Sequence, residues 1–292
     1  MSWRVSTVGI VGGGTMGAGI AICVVRAGLN VVLHDLDDER TAAGRNRVLS
    51  FLDRSVDKGK LSVEDRDAAA ARLTTTSSLA DMARCEVVVE AVFEDVDAKR
   101  ELFGELDDVI APDALMATNT STLSVSQIAA GSRLPERVVG THFCNPAPLM
   151  SLVEVVKALQ TNDVTFQRAL DFVEALDKTS VRVKDTPGFF LNRFLVPYEN
   201  DCIRALAAGV ASVEDIDRAI TMGLGHPMGP FTLLDTVGLD IHHAVSLSLY
   251  EQLKDPRFAP PPLVDQMIAA GHLGRKTGRG FYDYADTGMF GT

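Results

Sequence analysis

A histidine and a glutamate in the middle of the chain have the types and spacing of an acid–base pair. His142 belongs to a β-branched run, 137–143, and Glu154 belongs to a second such run, 149–156. Each residue lies six positions from Pro148, so a chain reversal there would place them opposite each other. Directly opposed residues of an antiparallel pair have Cβ atoms about 5 Å apart. A carboxylate at that distance holds one imidazole tautomer, as a general base requires. The alternative is a histidine whose hydrogen bond to an acid serves only the structure.

Three glycines near the start of the chain have the spacing of a dinucleotide-binding turn. Gly12, Gly14 and Gly17 form G-x-G-x-x-G between a strand-like run, 4–11, and a helix-like run, 18–27. Gly12 would permit the tight turn, Gly14 would let the backbone approach a pyrophosphate, and Gly17 would let helix pack on strand. The helix N-terminus would offer free amides and a positive dipole end to the phosphates.

Asp35 supplies the acid that this motif needs. It ends a second strand-like run, 30–35, and follows Gly12 by 23 residues. At that place a carboxylate accepts hydrogen bonds from the adenosine ribose and repels a 2′-phosphate, which favours NAD over NADP. Strand, turn, helix, strand and acid occur in order, and this predicts an NAD-binding unit more strongly than the glycines alone. Taken by itself, Asp35 could also be a solvated turn residue.

A polar loop and a basic stripe are further candidate ligand contacts. The loop 119–122 follows a short strand, 114–118, and ligands of open α/β sheets bind at the carboxyl ends of strands. Alternatively, the loop caps a helix near 126–130. The basic stripe consists of Arg40, Arg47, Arg54 and Lys58, whose spacing puts them on one side of a helix. Either a solvated face or a binding surface for a phosphorylated ligand explains the stripe.

The elements that must position these residues predict two domains. Residues 1–184 are expected to form an α/β Rossmann-type domain with a mostly parallel sheet, whose later strands are 86–92 and 180–184. Residues 185–292 are expected to form an all-α domain for substrate binding and dimerisation. Its predicted helices are 190–208, 213–222, 239–253 and 262–270. A helical domain of this size is marginal as a lone core, which indicates a homodimer through this domain.

Composition excludes several classes of protein. The chain has 292 residues with 28 basic and 39 acidic side chains, a net charge of −11, which argues against a nucleic-acid partner. Its four scattered cysteines predict a reducing cytoplasm and no structural metal. The uncharged run 5–25 contains six glycines, so neither a secretory segment nor a membrane span is expected there.

Taken together, the motifs resemble those of the short-chain L-3-hydroxyacyl-CoA dehydrogenase family. The resemblance extends from about Val5 to Tyr284. The segments that carry it are 12–17, 89–95, 118–121, 142–146, 152–156, 184–189, 192–193 and 227–231. Cys144 and Ser151 depart from the family pattern, at positions that could reshape an acyl pocket.

The resemblance implies roles for individual residues. It implies that His142 and Glu154 are the catalytic pair and that Ser121 and Asn192 position substrate oxygens. The implied cofactor contacts are Gly12, Gly14, Thr15, Met16, Gly17, Asp35, Glu94, Lys99, Ser121 and Asn145. The implied substrate contacts are Ser121, Asn192, Lys58 and Arg54, the last two on the coenzyme A part, and no metal is implied.

The expected activity is therefore NAD-dependent, reversible oxidation of a (3S)-3-hydroxyacyl-CoA, with 3-hydroxybutyryl-CoA as the expected substrate. A dehydrogenase of a free 3-hydroxy acid or sugar acid on the same scaffold is a second possibility. A non-enzymatic, redox-sensing or structural protein that keeps the NAD fold is a third, and the intact set of His142, Glu154, Ser121 and Asn192 argues against it.

Overall fold

The computed structural model describes residues 5–284, which divide into two compact units. Of the described residues, 5–189 belong to the first unit and 190–284 belong to the second. This division falls shortly after the boundary expected at residue 184. Arg4, the first residue of the predicted N-terminal strand, lies outside the described residues.

The first unit is built on one eight-stranded sheet. Its strands are β1 (Thr7–Val11), β2 (Asn30–His34), β3 (Leu73–Thr76), β4 (Val87–Glu90), β5 (Leu115–Thr118), β6 (Val138–Phe143), β7 (Leu152–Lys157) and β8 (Thr179–Lys184). Their order is β3-β2-β1-β4-β5-β6-β7-β8. The first six strands are parallel, β7 runs antiparallel to β6, and β8 is parallel to β7 at the edge. The mostly parallel Rossmann-type sheet is thus confirmed.

Helices cover both faces of this sheet because its strands are apolar on both sides. The helices are α1 (Thr15–Arg26), α2 (Asp38–Asp57), α3 (Val63–Ala71), α4 (Val96–Asp107), α5 (Val125–Ala129) and α6 (Asp163–Ala175). Along β2, Val31 and Leu33 pack in the cluster that contains α1, whereas Val32 packs in the cluster that contains α4. Successive side chains of a strand point to opposite faces, so each strand contributes to both cores.

The hairpin-like connection between β6 and β7 differs in one detail from the sequence-based expectation. The second strand begins at Leu152 rather than at Leu149. The amides of Leu149 and Met150 instead donate to the Pro146 carbonyl oxygen at 2.9 and 3.1 Å, which continues the turn. The register across the two strands is unaffected, and His142 pairs with Glu154 as predicted.

The described part of the second unit is helical, in agreement with the expected all-α domain. Its helices are α7 (Leu191–Ala207), α8 (Val213–Leu224), α9 (Pro230–Val237), α10 (Leu239–Leu253) and α11 (Pro262–Ala269). Helix α9 is not predicted by the sequence pattern, because its start lies in a segment rich in glycine and proline. In residues 5–284, no helix is long and apolar enough to cross a membrane, and no cluster of His, Cys, Asp and Glu could hold a metal ion.

Candidate active site

The sheet brings His142 and Glu154 into direct contact. Nδ1 of His142 lies 2.8 Å from Oε2 of Glu154. The Glu154 side chain is fully buried, whereas that of His142 is 11% exposed. The Phe189 ring packs against the imidazole, with 5.6 Å between ring centroids. Within residues 5–284, no hydrogen bond to Nε2 of His142 is found. The pair therefore has the geometry of an oriented imidazole whose second nitrogen is available to a substrate.

The glycine turn fits a dinucleotide for steric reasons. A Cβ at Gly17 would lie 1.7 Å from the Gly12 carbonyl oxygen, so only glycine lets α1 approach the turn this closely. Gly12 has a φ of +104°, which favours glycine. In contrast, a Cβ at Gly14 would meet no protein atom within 4 Å. The open side at Gly14, where α1 begins without a side-chain cap, is where a pyrophosphate could contact free amides. Thr15 and Met16 form the first turn of this helix.

Asp35 lies beside this turn in a cavity of about 530 Å³. Its Oδ2 accepts a hydrogen bond of 2.8 Å from the amide of Gly13, and Oδ1 accepts one from the amide of Leu36. The cavity is lined by the glycine turn, by Asp35 and by apolar side chains such as Leu79 and Leu102. This combination of a phosphate-binding helix end, an acid and an apolar cavity fits the adenosine half of NAD.

Glu94 holds the polar loop after β5. Its Oε1 accepts hydrogen bonds from the Thr120 hydroxyl at 2.5 Å and from the amides of Ser121 and Thr122 at 2.9 and 3.1 Å. Burial alone would raise the pKa of Glu94, but the Lys99 ammonium and these hydrogen bonds hold its pKa below the ordinary value. The arrangement brings Glu94 and Ser121 together at the carboxyl ends of β4 and β5.

The alternative explanation of this loop as a helix cap is wrong. Helix α5 is capped by Ser124, whose side chain accepts from the amide of Gln127. In addition, the carboxylate of Asp185 accepts from the amides of Val125 and Ser126. The Asn119–Thr122 segment therefore has no part in capping that helix. Instead, Oδ1 of Asn119 accepts from the amide of Phe143, next to His142.

Lys99 lies deeper than its motif suggests. Its Nζ lies 2.5 Å from Oε1 of Glu90 and 3.4 Å from Oε2 of Glu94, and its side chain is 1% exposed. Glu90, which the sequence analysis does not single out, is fully buried and also accepts from the Thr118 hydroxyl and the Val92 amide. The single ammonium thus lies between two carboxylates beneath the loop, and a direct contact of Lys99 with the cofactor stays a prediction.

The basic stripe is divided by the structure. Arg47 and Arg54 line a second cavity of about 590 Å³, together with Asn145. Arg40 instead lines the first cavity, and its guanidinium lies 3.4 Å from the carboxylate of Asp37. Lys58 follows the end of α2 and is exposed. The two cavity-lining arginines and Asn145 come from distant parts of the chain, which the spacing alone does not reveal. Asn192 lies in the first turn of α7, in the second unit.

Comparison with known proteins agrees with this geometry. Residues 7–186 match the family model described as 3-hydroxyacyl-CoA dehydrogenase, NAD binding domain, and residues 188–284 match the C-terminal domain of the same family. The chain belongs to the 3-hydroxyacyl-CoA dehydrogenase family. Its NAD-binding assignment and its class as an oxidoreductase follow from this membership.

Relatives cover nearly the whole chain. A 3-hydroxybutyryl-CoA dehydrogenase of Mycobacterium tuberculosis is 44% identical over 286 residues, which are 97% of this chain and 100% of the relative. The crystal structure of M. tuberculosis FadB2 superposes with a TM-score of 0.94 at 44% identity and covers the same shares. The (S)-3-hydroxybutyryl-CoA dehydrogenase PaaH1 from Ralstonia eutropha gives 0.91 at 41% identity, with 97% of this chain and 100% of that chain covered.

Proposed function

We propose that this protein catalyses the reversible, NAD-dependent oxidation of short-chain (3S)-3-hydroxyacyl-CoA, such as 3-hydroxybutyryl-CoA, to the 3-ketoacyl-CoA. The observation that carries the proposal is the contact of 2.8 Å between His142 and Glu154, on the sheet that also bears the dinucleotide turn. The names of the relatives support the substrate class.

In the proposed mechanism, Nε2 of His142 takes the proton of the substrate's C3 hydroxyl. Glu154 accepts the hydrogen bond from Nδ1 and stabilises the imidazolium that results. Ser121 and Asn192 hold the hydroxyl and thioester oxygens in a reactive pose. The chemistry that bound NAD would supply is that of a hydride acceptor for C3. The glycine turn and Asp35 would hold the cofactor, with Glu94, Lys99 and Asn145 as further contacts.

The decisive experiment compares His142→Ala with the wild type in acetoacetyl-CoA reduction by NADH. Loss of the acid–base group should lower kcat by about 100-fold or more, while the affinity for NAD stays the same. Glu154→Gln keeps a hydrogen-bond acceptor but removes the charge, and we expect a smaller loss. Near-normal turnover in His142→Ala with intact NAD binding would refute the mechanism. The same assay with free acetoacetate, with longer 3-ketoacyl-CoA substrates and with NADPH defines the substrate and cofactor classes.

Basic residues of α2 and just beyond it are proposed to bind the phosphates of coenzyme A. Arg54 lines the cavity that also contains Asn145, and Lys58 follows four residues later. Replacing Arg54 and Lys58 with Gln should raise KM for the CoA substrate and leave NAD affinity unchanged, because Asp35 and the glycine turn lie on the other cavity. An unchanged KM would instead identify these residues as a solvated surface.

We further propose a cytoplasmic homodimer that associates through the second unit. In the described part of this unit, the buried apolar side chains form two small clusters, one containing Phe231 and the other Leu249. Several of its large apolar side chains are exposed, among them Phe190, Phe194 and Met222. Phe190 and Phe194 stack with 6.3 Å between their ring centroids, and adjacent exposed apolar side chains are typical of interaction sites. All four cysteines are free, which suits a reducing compartment. Light scattering after gel filtration tests the dimer, and a monomer at micromolar concentration would exclude it.

A further inference from the structure

The loop between β6 and β7 belongs to the proposed substrate site but has few fixed backbone contacts of its own. It carries Asn145, and together with Pro146, Ala147 and Pro148 it lines the cavity that contains Arg54. Its turn contributes backbone hydrogen bonds from Leu149 and Met150 to Pro146, as described above. The end of the loop next to β7 is held by the Thr179 amide, which donates to the Ser151 carbonyl oxygen at 2.8 Å, so a further contact from outside the loop is needed for its middle, around Ala147.

Lys178 makes that contact. Its Nζ donates to the carbonyl oxygen of Ala147 at 2.9 Å and to that of Met150 at 2.6 Å. The lysine lies in the short connection between α6 and β8, where Asp177 adopts a left-handed φ of +55°. Among residues 5–284, no carboxylate lies within ion-pair distance of Lys178. Its half-buried ammonium is thus directed at two backbone carbonyls, and hydrogen bonds from a charged donor are stronger than neutral ones.

The loop segment that Lys178 contacts packs against α1, the helix that begins at the glycine turn. Ala147 is 2% exposed, and a Cβ built on Gly19 of α1 would lie 3.2 Å from the Ala147 Cβ. The Cys23 thiol, also on α1, lies 3.4 Å from the Ala147 carbonyl oxygen. Without the ammonium, that buried carbonyl would retain only a weak thiol donor. The loop would then be expected to move away from α1 and to change the wall of the cavity.

We infer that Lys178 is a positioning residue, which fixes the 144–150 loop so that the cavity wall formed by Pro146, Ala147 and Pro148 is correctly placed for the acyl-CoA substrate. The inference rests on the proposed function for the identity of the substrate. The two hydrogen bonds from Lys178 to the loop do not depend on that function. Lys178 does not touch reacting atoms in this arrangement; it acts through the backbone of Ala147 and Met150.

The test compares Lys178→Met with the wild type in two main measurements, with calorimetric NAD binding as a check on the first. The first is acetoacetyl-CoA reduction by NADH, in which we expect KM to rise about tenfold, a loss typical of a hydrogen bond to a charged group. The affinity for NAD, measured by calorimetry, should change less than about twofold, because Asn145 is the one proposed NAD contact in this loop, whereas the glycine turn and Asp35 line the other cavity. The second is hydrogen exchange of the Leu149 and Met150 amides, which should accelerate while the amides of β6 stay protected. In Lys178→Arg, KM should stay close to the wild-type value, because a guanidinium can also donate to two carbonyls.

The matched control is Lys184→Met, an exposed lysine at the end of the β8 strand that Lys178 precedes. It should change neither KM nor loop exchange. A lower kcat with unchanged KM and unchanged exchange in Lys178→Met would overturn the inference, since it would indicate only less folded enzyme. If the wild type does not turn over any acyl-CoA, the proposed function fails. The exchange measurement then still shows whether Lys178 fixes the position of the loop. Unchanged exchange at Leu149 and Met150 would refute it in that case as well.

Discussion

Alanine at Gly14 and alanine at Gly17, each as a single substitution, should have different effects. The first should weaken NAD binding, and the second should lower the stability of the fold. The two residues are three positions apart in the same turn, but their surroundings differ. A Cβ at Gly17 would lie 1.7 Å from the Gly12 carbonyl oxygen, about half an ordinary contact distance, so the backbone of the turn or helix must move. Overpacking of this kind costs up to about 3 kcal/mol, and backbone that cannot yield can cost more. Gly17→Ala should therefore unfold at markedly lower urea concentration.

Gly14→Ala should show the opposite behaviour. Its φ of −66° suits alanine, and a Cβ there meets no protein atom within 4 Å, so the stability should change by less than about 1 kcal/mol. The added methyl group would occupy the space proposed for the pyrophosphate. Loss of a hydrogen bond to a charged group corresponds to about a tenfold or larger rise in the Kd of NAD.

Urea unfolding without cofactor and calorimetric titration with NAD measure the two quantities. Gly223→Ala is the matched control, because Gly223 also has open space around its Cβ position but lies in α8. It should leave NAD binding unchanged. Wild-type NAD affinity in Gly14→Ala would refute the placement of the pyrophosphate, and wild-type stability in Gly17→Ala would refute the steric argument.

Three further predictions concern charged groups. Glu94→Gln should lower stability by about 1 kcal/mol at pH 7. Because folding depresses the pKa of Glu94, this deficit should shrink as the pH falls below the ordinary glutamate pKa and vanish below the depressed pKa, and a deficit independent of pH would contradict the assignment. Lys99→Met should cost about 3 kcal/mol in urea unfolding by leaving the buried Glu90 unpaired, whereas Arg100→Met, at an exposed neighbour, should cost less than about 1 kcal/mol. Asp35→Asn keeps an acceptor for the Gly13 amide but removes the negative charge, so the preference for NAD over NADP should fall at least about tenfold in Kd, and an unchanged ratio would exclude Asp35 as its source.

The parts of the site that depend on local spacing are predictable from the sequence. The glycine turn follows from one short motif, and the pairing of His142 with Glu154 follows from equal distances to Pro148. Strand β3 is not predicted, because Leu73–Thr76 contains three threonines and no alternation of apolar residues. Its place at the sheet edge depends on pairing with β2, which local sequence does not encode.

Long-range contacts explain most of the other differences. The burial of Lys99 depends on Glu90, which lies on a different element, and the spacing of the two residues does not indicate that they pair. The contacts of Lys178 are not predictable from the sequence for another reason. Its partners are backbone carbonyls, so the residue types at 147 and 150 give no indication of the contact. Side-chain pairs can leave complementary charges in a sequence, whereas a bond to the main chain leaves none.

The edge strand β8 has a consequence for the behaviour of this protein at high concentration. Its exposed residues include Arg182 and Lys184, whereas Val181 and Val183 are partly covered. An open strand edge is a template on which a second copy could add, and lysine and arginine on such an edge discourage this. In a two-fold antiparallel pairing of two β8 strands, the cations of one copy would face those of the other and repel them. Neutralising both residues should therefore promote fibrillar aggregation, without any change in the chemistry of the site.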